Sequence, residues 1–314
     1  MRFSVVIPLY NKAPYVCKAL GSVAAQTFRD FDLVVVDDGS IDGSGDVASS
    51  FLATTELSYQ FIRQDNAGVS IARNRGVAAS HGDFICFLDA DDWWEPSFLE
   101  RMDALIGNYP EAGIYGTNYF YVKNGQRRIG IKDVETGIMN YCQVYAQSLA
   151  MPLCTGSIAV SRLAFDALGG FNPKLKLGED FDLWIRIAIR KDVAFLNEPL
   201  FNYNQDVDIA WRGTRHLVNP SHHMLWNLDY LSEEERTNPD YKRLIDSLRT
   251  YNLLSYYLSR PFRDIAKKEL NKVDWSRQPK KVCRLYSLPI WFLKMRRSFL
   301  RAGSKIKQWL IKHI

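Results

Sequence analysis

Three short acidic runs carry the residue types and spacing for chemistry: Asp37-Asp38-Gly39-Ser40, Asp89-Ala90-Asp91-Asp92 and Glu179-Asp180-Phe181-Asp182. Carboxylates packed this closely repel one another unless a cation or a hydrogen-bonding ligand sits among them. Any one run alone is equally well explained by capping, because an aspartate at a strand end often accepts from the first N–H groups of the next helix. Three runs on one rim are not explained that way. The D-x-D of Asp89 and Asp91 follows an apolar strand, so both carboxylates fall on the same side of the chain. Oxygen ligands with open positions suit Mg²⁺ or Mn²⁺ shared with phosphate oxygens. A metal bridging a diphosphate would stabilise a nucleotide leaving group.

Such a rim needs elements to hold it. Apolar runs at 3–8, 31–36, 59–62 and 84–88 alternate with amphipathic stretches at 14–25, 43–54 and 69–80. That is the βαβ rhythm of a mostly parallel sheet flanked by helices. In open α/β sheets the ligand lies outside the carboxyl ends of the strands, which here means after Pro8, Val36 and Leu88. Further on, the pattern predicts a helix over 96–108 and a strand over 114–122 that turns at Asn124-Gly125. Helices over 161–168 and 180–190 follow, separated by Gly169-Gly170, then short strands at 193–196 and 200–203. From 220 to 273 the chain is rich in Leu, Tyr and charge with few breakers, which predicts two or three helices.

The 314 residues are 47% hydrophobic and 24% charged, which excludes collagen-like, low-complexity and wholly disordered chains. Five widely spaced cysteines, with no C-x-x-C pair, argue against a disulfide framework or zinc site. The net charge of +5 is uneven. Eleven of the 40 Lys/Arg and no Asp/Glu lie from Arg277 to Ile314, leaving 29 basic residues against 35 acidic before them. In this tail Phe292, Met295, Phe299, Ile306 and Leu310 recur at helical spacing opposite Lys294, Arg297, Arg301, Lys305 and Lys312, the pattern of a basic amphipathic helix on an anionic membrane surface. No stretch is long and apolar enough to span a bilayer, and the N-terminal apolar run is too short for a signal peptide. The expected location is cytoplasmic, peripheral to the inner face of the inner membrane.

Four ordered blocks, Ser4 to Asn11, Val35 to Ser40, Asn66-Ala67-Gly68 through Arg73-Asn74-Arg75-Gly76, and Phe87 to Asp92, are followed by Gly178 to Arg186. Together they resemble the family 2 inverting glycosyltransferases of GT-A fold over about residues 1–205. The resemblance implies an α/β GT-A domain and transfer of one sugar from a nucleotide-diphosphate donor, expected to be UDP-linked, with Mn²⁺ or Mg²⁺ as cofactor. By the same resemblance Pro8, Tyr10 and Asn11 wall the nucleotide base, Asp38 accepts from a base imide, and Gly68 and Arg73 belong to the donor site, with Arg73 reaching the base or the phosphates. Asp89 would bond ribose or sugar hydroxyls. Asp91 would ligate the metal, with Asp89 beside it and Ala90 between them. Asp180 is the expected acceptor-side base, with Glu179 as the alternative, and Trp184 would line the acceptor side.

Two features depart from that pattern. The Gln/Arg-x-x-Arg-Trp box of processive synthases is replaced by Leu183-Trp184-Ile185-Arg186, which favours single transfer over polymerisation. A family Tyr-Arg-x-His run is replaced by Phe201-Asn202-Tyr203-Asn204-Gln205, which leaves Arg212, Arg215 or His216 either to replace that phosphate contact as a closing lid or only to solvate their loop. The expected organisation is a catalytic domain over 1–215, divided at 110 into nucleotide-sugar and acceptor halves, then a helical extension over 216–275 and a membrane-associating tail over 276–314. The expected acceptor is a lipid-linked or oligosaccharide glycan of lipopolysaccharide, O-antigen, capsule or exopolysaccharide biosynthesis. Two other readings compete: a sugar nucleotidyltransferase, which lacks its Gly-rich activating loop here, and a non-catalytic membrane- or nucleic-acid-binding protein acting through the tail. Nucleic acid is not an expected partner, because the basic excess is confined to that amphipathic tail.

Overall fold

The computed structural model describes residues 1–207 and 217–295. The chain divides between Asp229 and Tyr230 into two compact units. The first is built on one ten-stranded sheet whose strands lie in the order 59–64, 31–38, 3–9, 84–87, 158–161, 114–123, 193–204 and 93–94, with 126–129 beside 114–123 and 137–139 beside 193–204. Its first half follows the sequence closely: β1 (Phe3–Leu9), α1 (Val16–Ala24), β2 (Phe31–Asp38), α2 (Ser44–Leu52), β3 (Tyr59–Gln64), α3 (Val69–Ala78) and β4 (Phe84–Phe87). These strands are Val-, Ile- and Phe-rich, and β1 and β2 are buried on both faces, as a parallel sheet covered by helices requires. The β1–β2, β2–β3 and β1–β4 pairs are all parallel. Helix α3 lies close on this sheet because position 76 is glycine; a Cβ there would stand 2.4 Å from a Val6 methyl.

Beyond β4 the sheet is mixed. β5 (Trp93–Trp94), α4 (Phe98–Asn108), β6 (Ile114–Lys123), β7 (Gln126–Ile129), β8 (Gly137–Met139), α5 (Tyr141–Ser148), β9 (Ile158–Ser161), α6 (Arg162–Leu168), α7 (Glu179–Ala188) and β10 (Val193–Asn204) complete the unit. β9 pairs antiparallel with both β4 and β6, and only β6–β10 is parallel here. The β6–β7 hairpin turns at Asn124 and Gly125, both left-handed (φ 50° and 72°). The two short strands expected at 193–196 and 200–203 are one strand, β10. It tolerates Pro199 by shifting register between Leu196 and Phe201 against β6.

In the second unit, α8 (Ser232–Thr237), α9 (Pro239–Asn252), α10 (Leu254–Leu258), α11 (Arg263–Leu270) and α12 (Lys280–Ser287) form a helical assembly. Arg249, 2% exposed, sits at its centre. Its guanidinium donates to both carboxylate oxygens of Glu235, one at 2.9 Å, and approaches Asp246 at 3.5 Å and Glu269 at 3.4 Å. Lys242 bonds Asp246, and Lys272 pairs with Glu269 at 2.8 Å. No helix among the described residues is long and apolar enough to cross a membrane. Residues 290–295 are helical, and the rest of the expected basic amphipathic helix lies outside the described residues, as do Arg212, Arg215 and His216.

Candidate active site

The three acidic runs stand at element ends of the first unit. Asp37 and Asp38 close β2, Asp89 to Asp92 follow β4, and Glu179 and Asp180 open α7. The β2 end is a scaffold. Asp38 is buried, and its carboxylate accepts from the N–H groups of Ala67 (2.8 Å) and Gly68 (2.9 Å), from Gln64 Nε2 (2.6 Å) and from Asn66 Nδ2 (3.4 Å). That cradle fixes the turn into α3, where Gly68 takes φ 95°. Asp37 accepts from the Ser40 N–H at 3.0 Å, a turn-closing role.

At the end of β1, Pro8 is paired with Val36 and Tyr10 is 44% exposed. Asn11 adopts φ 51°, a conformation asparagine tolerates. It is locked there because its N–H donates to Ser40 Oγ (3.1 Å) and its Oδ1 accepts from the Ile41 N–H (2.9 Å). The next residue, Lys12, reaches across to donate from Nζ to Asp91 Oδ2 at 2.6 Å. The sequence reading missed Lys12; its only local signal is a cation directly after the strand end that the fold marks as a ligand edge.

Arg73 joins the second and third acidic runs. Its Nη2 donates to Asp89 Oδ1 at 2.8 Å and its Nη1 to Glu179 Oε1 at 3.3 Å, with the guanidinium 5.1 Å over the Phe171 ring. Burial alone would lower its pKa, but Asp89 and Glu179 more than reverse this and hold it charged. The adjacent Asn74 secures the same loop, donating to the Phe171 carbonyl at 2.8 Å and accepting from its N–H at 3.0 Å. In this arrangement Arg73 links Asp89 to Glu179.

The carboxylates of the rim are electrostatically crowded. Burial raises the pKa of Asp91; Lys12 opposes that rise and Asp89 adds to it. Burial together with the charges of Asp91 and Asp89 pushes Asp92 well above the usual range. Asp92 is an anchor, since its Oδ1 accepts the Asn204 N–H at 2.7 Å while Asn204 Nδ2 donates to the Asp91 carbonyl at 3.1 Å. Asn204 thus ties the end of β10 to the D-x-D turn, at the place where the family run differs. Ala90 is buried inside that turn. Burial first, and then the Glu179 charge, push Asp180 up to about 7, against the lowering effects of the Phe181 N–H and Arg73. Asp180 Oδ1 accepts from that N–H at 2.7 Å.

One expectation fails. Trp184 does not line an open acceptor side; it is fully buried, with its ring 5.7 Å from Phe171 and 6.5 Å from Phe87. The cause is helical geometry, since the apolar stripe of α7 through Phe181, Trp184, Ile185 and Ile187 turns into the core.

The profile of glycosyl transferase family 2 matches residues 4–168, more than half of the chain and inclusive of β1, the Asp38 cradle, α3 and the D-x-D turn. The chain belongs to glycosyltransferase family 2. The enzyme class expected from the motifs, a glycosyltransferase, stands with that match. Among curated relatives, glycosyltransferase GlyA of Streptococcus pneumoniae is 31% identical over 216 residues, 64% of this family 2 chain and 30% of GlyA. A glycosyltransferase of Rickettsia bellii is 27% identical over 272 residues, 83% of this chain and 38% of the relative. The matched segments thus span about a third of the length of those relatives. Solved structures share the fold. Staphylococcus aureus TarS in complex with UDP-GlcNAc has a TM-score of 0.72 at 19% identity, covering 90% of this chain and 83% of the TarS chain. A mannosyltransferase of Pyrobaculum calidifontis with GDP-Man and Mn²⁺ has a TM-score of 0.59 at 18% identity, covering 98% and 82%. The GT-A fold expected from the motifs is the observed one.

Proposed function

We propose that this chain transfers a single sugar from a nucleoside-diphosphate sugar, UDP-linked by preference, to a hydroxyl of a lipid-linked or oligosaccharide acceptor, with inversion. The observation that carries the reading is the buried Arg73 bridge, which ties Asp89 of the donor rim to Glu179, next to an Asp180 whose pKa lies near 7. A base with that pKa is half-ionised at neutral pH and matched to accept a hydroxyl proton. In the transfer, Asp180 takes the proton from the acceptor hydroxyl as its oxygen bonds the anomeric carbon. The bond from that carbon to the diphosphate breaks on the opposite face, and the nucleoside diphosphate leaves with the electron pair.

Among the described residues no three His, Cys, Asp or Glu side chains close on a common point as a metal cage. The chain itself therefore offers the pair Asp89 and Asp91, a hard-oxygen set that fits Mg²⁺ or Mn²⁺ when donor phosphates complete the coordination. A divalent cation held there would offset charge on the leaving diphosphate. Tyr10, Pro8 and Asn11 are assigned to the base wall, and Asp38 with Gly68 to the loop that frames it. The basic tail is assigned to an anionic membrane face, which fits a lipid-linked acceptor.

A panel of UDP-, GDP- and dTDP-sugars, assayed for donor hydrolysis with Mn²⁺ and then with excess EDTA, tests the reading. The expected outcome is hydrolysis of one UDP-sugar that falls at least about a hundredfold on chelation. Hydrolysis of none, or hydrolysis indifferent to EDTA, overturns it.

A further inference from the structure

Lys12 is built into the rim through its backbone. Its N–H donates to Ser44 Oγ at 2.6 Å, and its carbonyl accepts from the N–H groups of Tyr15 (2.9 Å) and Val16 (3.0 Å) at the start of α1. The backbone is therefore fixed, and only the side-chain stem is free to rearrange. That stem brings Nζ to Asp91, with side-chain exposures of 15% for Lys12 and 18% for Asp91. The other cation of the rim is held differently. Arg73 is 4% exposed in its side chain, spans two carboxylates and lies over Phe171, so it has no room to leave. Lysine is also the cation suited to changing partners, with three donors on a flexible four-carbon stem.

Resting on the reading that Asp91 receives a divalent cation, we propose that Lys12 is the resident counter-cation of Asp91 and a phosphate-binding residue. It neutralises Asp91 before the donor arrives, yields the carboxylate oxygen to the cation, and passes its ammonium to the diphosphate oxygens that enter beside it. The physical reason is crowding. A Mg²⁺ or Mn²⁺ ligand bond is about 2.0–2.2 Å long, and an ammonium 2.6 Å from the same oxygen would sit in strong like-charge repulsion with the metal. The incoming diphosphate carries the negative charge that gives the displaced ammonium a new partner. Cation and donor binding are thereby coupled: each alone must break or face the Lys12–Asp91 pair, and together they exchange it for two new pairs.

Titration calorimetry on the full chain tests this, with MnCl₂ alone and then with UDP or GDP on the Mn²⁺-saturated protein. Lys12→Met is expected to bind Mn²⁺ alone about tenfold more tightly, and the nucleotide in the presence of Mn²⁺ about tenfold more weakly. Lys12→Arg, which keeps the charge, is expected to stay near wild type in the first titration. Should Lys12→Met lose cooperative unfolding by circular dichroism, Lys12→Gln gives the same readout with a hydrogen bond to Asp91 retained and the charge removed. Unchanged or weaker Mn²⁺ binding in the charge-removed variant overturns the proposal, because Lys12 would then be supporting the cation. The parallel variant Asp91→Asn separates the two readings. If it binds Mn²⁺ as wild type does, the assignment of Asp91 as ligand fails. If it loses Mn²⁺ while Lys12→Met is unchanged, only the role of Lys12 fails.

Discussion

At the rim of the sheet five carboxylates, Asp89, Asp91, Asp92, Glu179 and Asp180, share two cations, Lys12 and Arg73. Among the helices of the second unit three carboxylates, Glu235, Asp246 and Glu269, are matched by Lys242, Arg249 and Lys272. Their titration follows the difference. Burial and like charge raise Asp91, Asp92 and Asp180, whereas Arg249 overcomes burial to hold Glu235 below its usual value. A matched cluster is complete by itself and holds helices together. An unmatched one costs its own fold stability, and a divalent cation, as proposed above, would offset the excess negative charge.

The comparison predicts opposite signs for charge removal in the two places. Asp180→Asn is expected to slow transfer by about 10²- to 10⁴-fold, the usual contribution of a general base. It is also expected to stabilise the folded protein at pH 8. The Asp180 pKa is raised in the folded state from 3.8 to about 7, so its stabilising contribution is complete below about pH 4 and is lost as pH rises through about 7. At pH 8 the ionised carboxylate is a burden that asparagine removes, by about 1–2 kcal/mol. Single-turnover kinetics and urea midpoints measure both. A variant that is slow and less stable would make the rim a structural cluster like the other.

Arg249→Ala is expected to do the reverse, destabilising the helical unit by about 3–5 kcal/mol because Glu235, Asp246 and Glu269 would lose the buried cation they share and keep only the more exposed Lys242 and Lys272. Urea denaturation followed by circular dichroism reads this. Arg249→Met with Glu235→Gln, which removes charge from both sides, should recover part of the loss. A single variant within about 0.5 kcal/mol of wild type would show that the matched cluster does not hold the helices.

How much of this was legible in the chain depended on sequence distance. β1, β2 and α3 were readable because apolar runs are punctuated locally by Pro8, Asp38 and Gly68. β9 was not, since four residues between a short turn and a helix give no period to detect, although β9 lies at the centre of the sheet between β4 and β6. The two short strands expected at 193–196 and 200–203 join into β10 across Pro199, and the register shift that accommodates the proline depends on β6. The same holds at the site. The motif residues announced themselves as runs, but the Lys12–Asp91 pair joins positions 79 apart and the Arg73–Glu179 pair positions 106 apart. Composition shows the acids; only folding shows which of them has been given a cation. Trp184 illustrates the limit from the other side, because a helical stripe identifies a shared face without saying whether core or ligand meets it.

The smallest expected effect discriminates most finely between the two neighbouring acids of α7. With Asp180 as base, kcat/KM should rise with pH along an acidic limb whose apparent pKa is near 7. Glu179 raises that value by its charge, so Glu179→Gln should leave transfer largely active and move the limb to lower pH, by about half a unit. Loss of Arg73 should move it the other way, since Arg73 lowers the Asp180 pKa and also neutralises Glu179. A pH profile of Glu179→Gln with the limb unmoved would deny the coupling between the two acids. Abolished transfer in that variant, with Asp180→Asn active, would hand the base to Glu179 and leave Asp180 as the carboxyl that merely suffers the crowding.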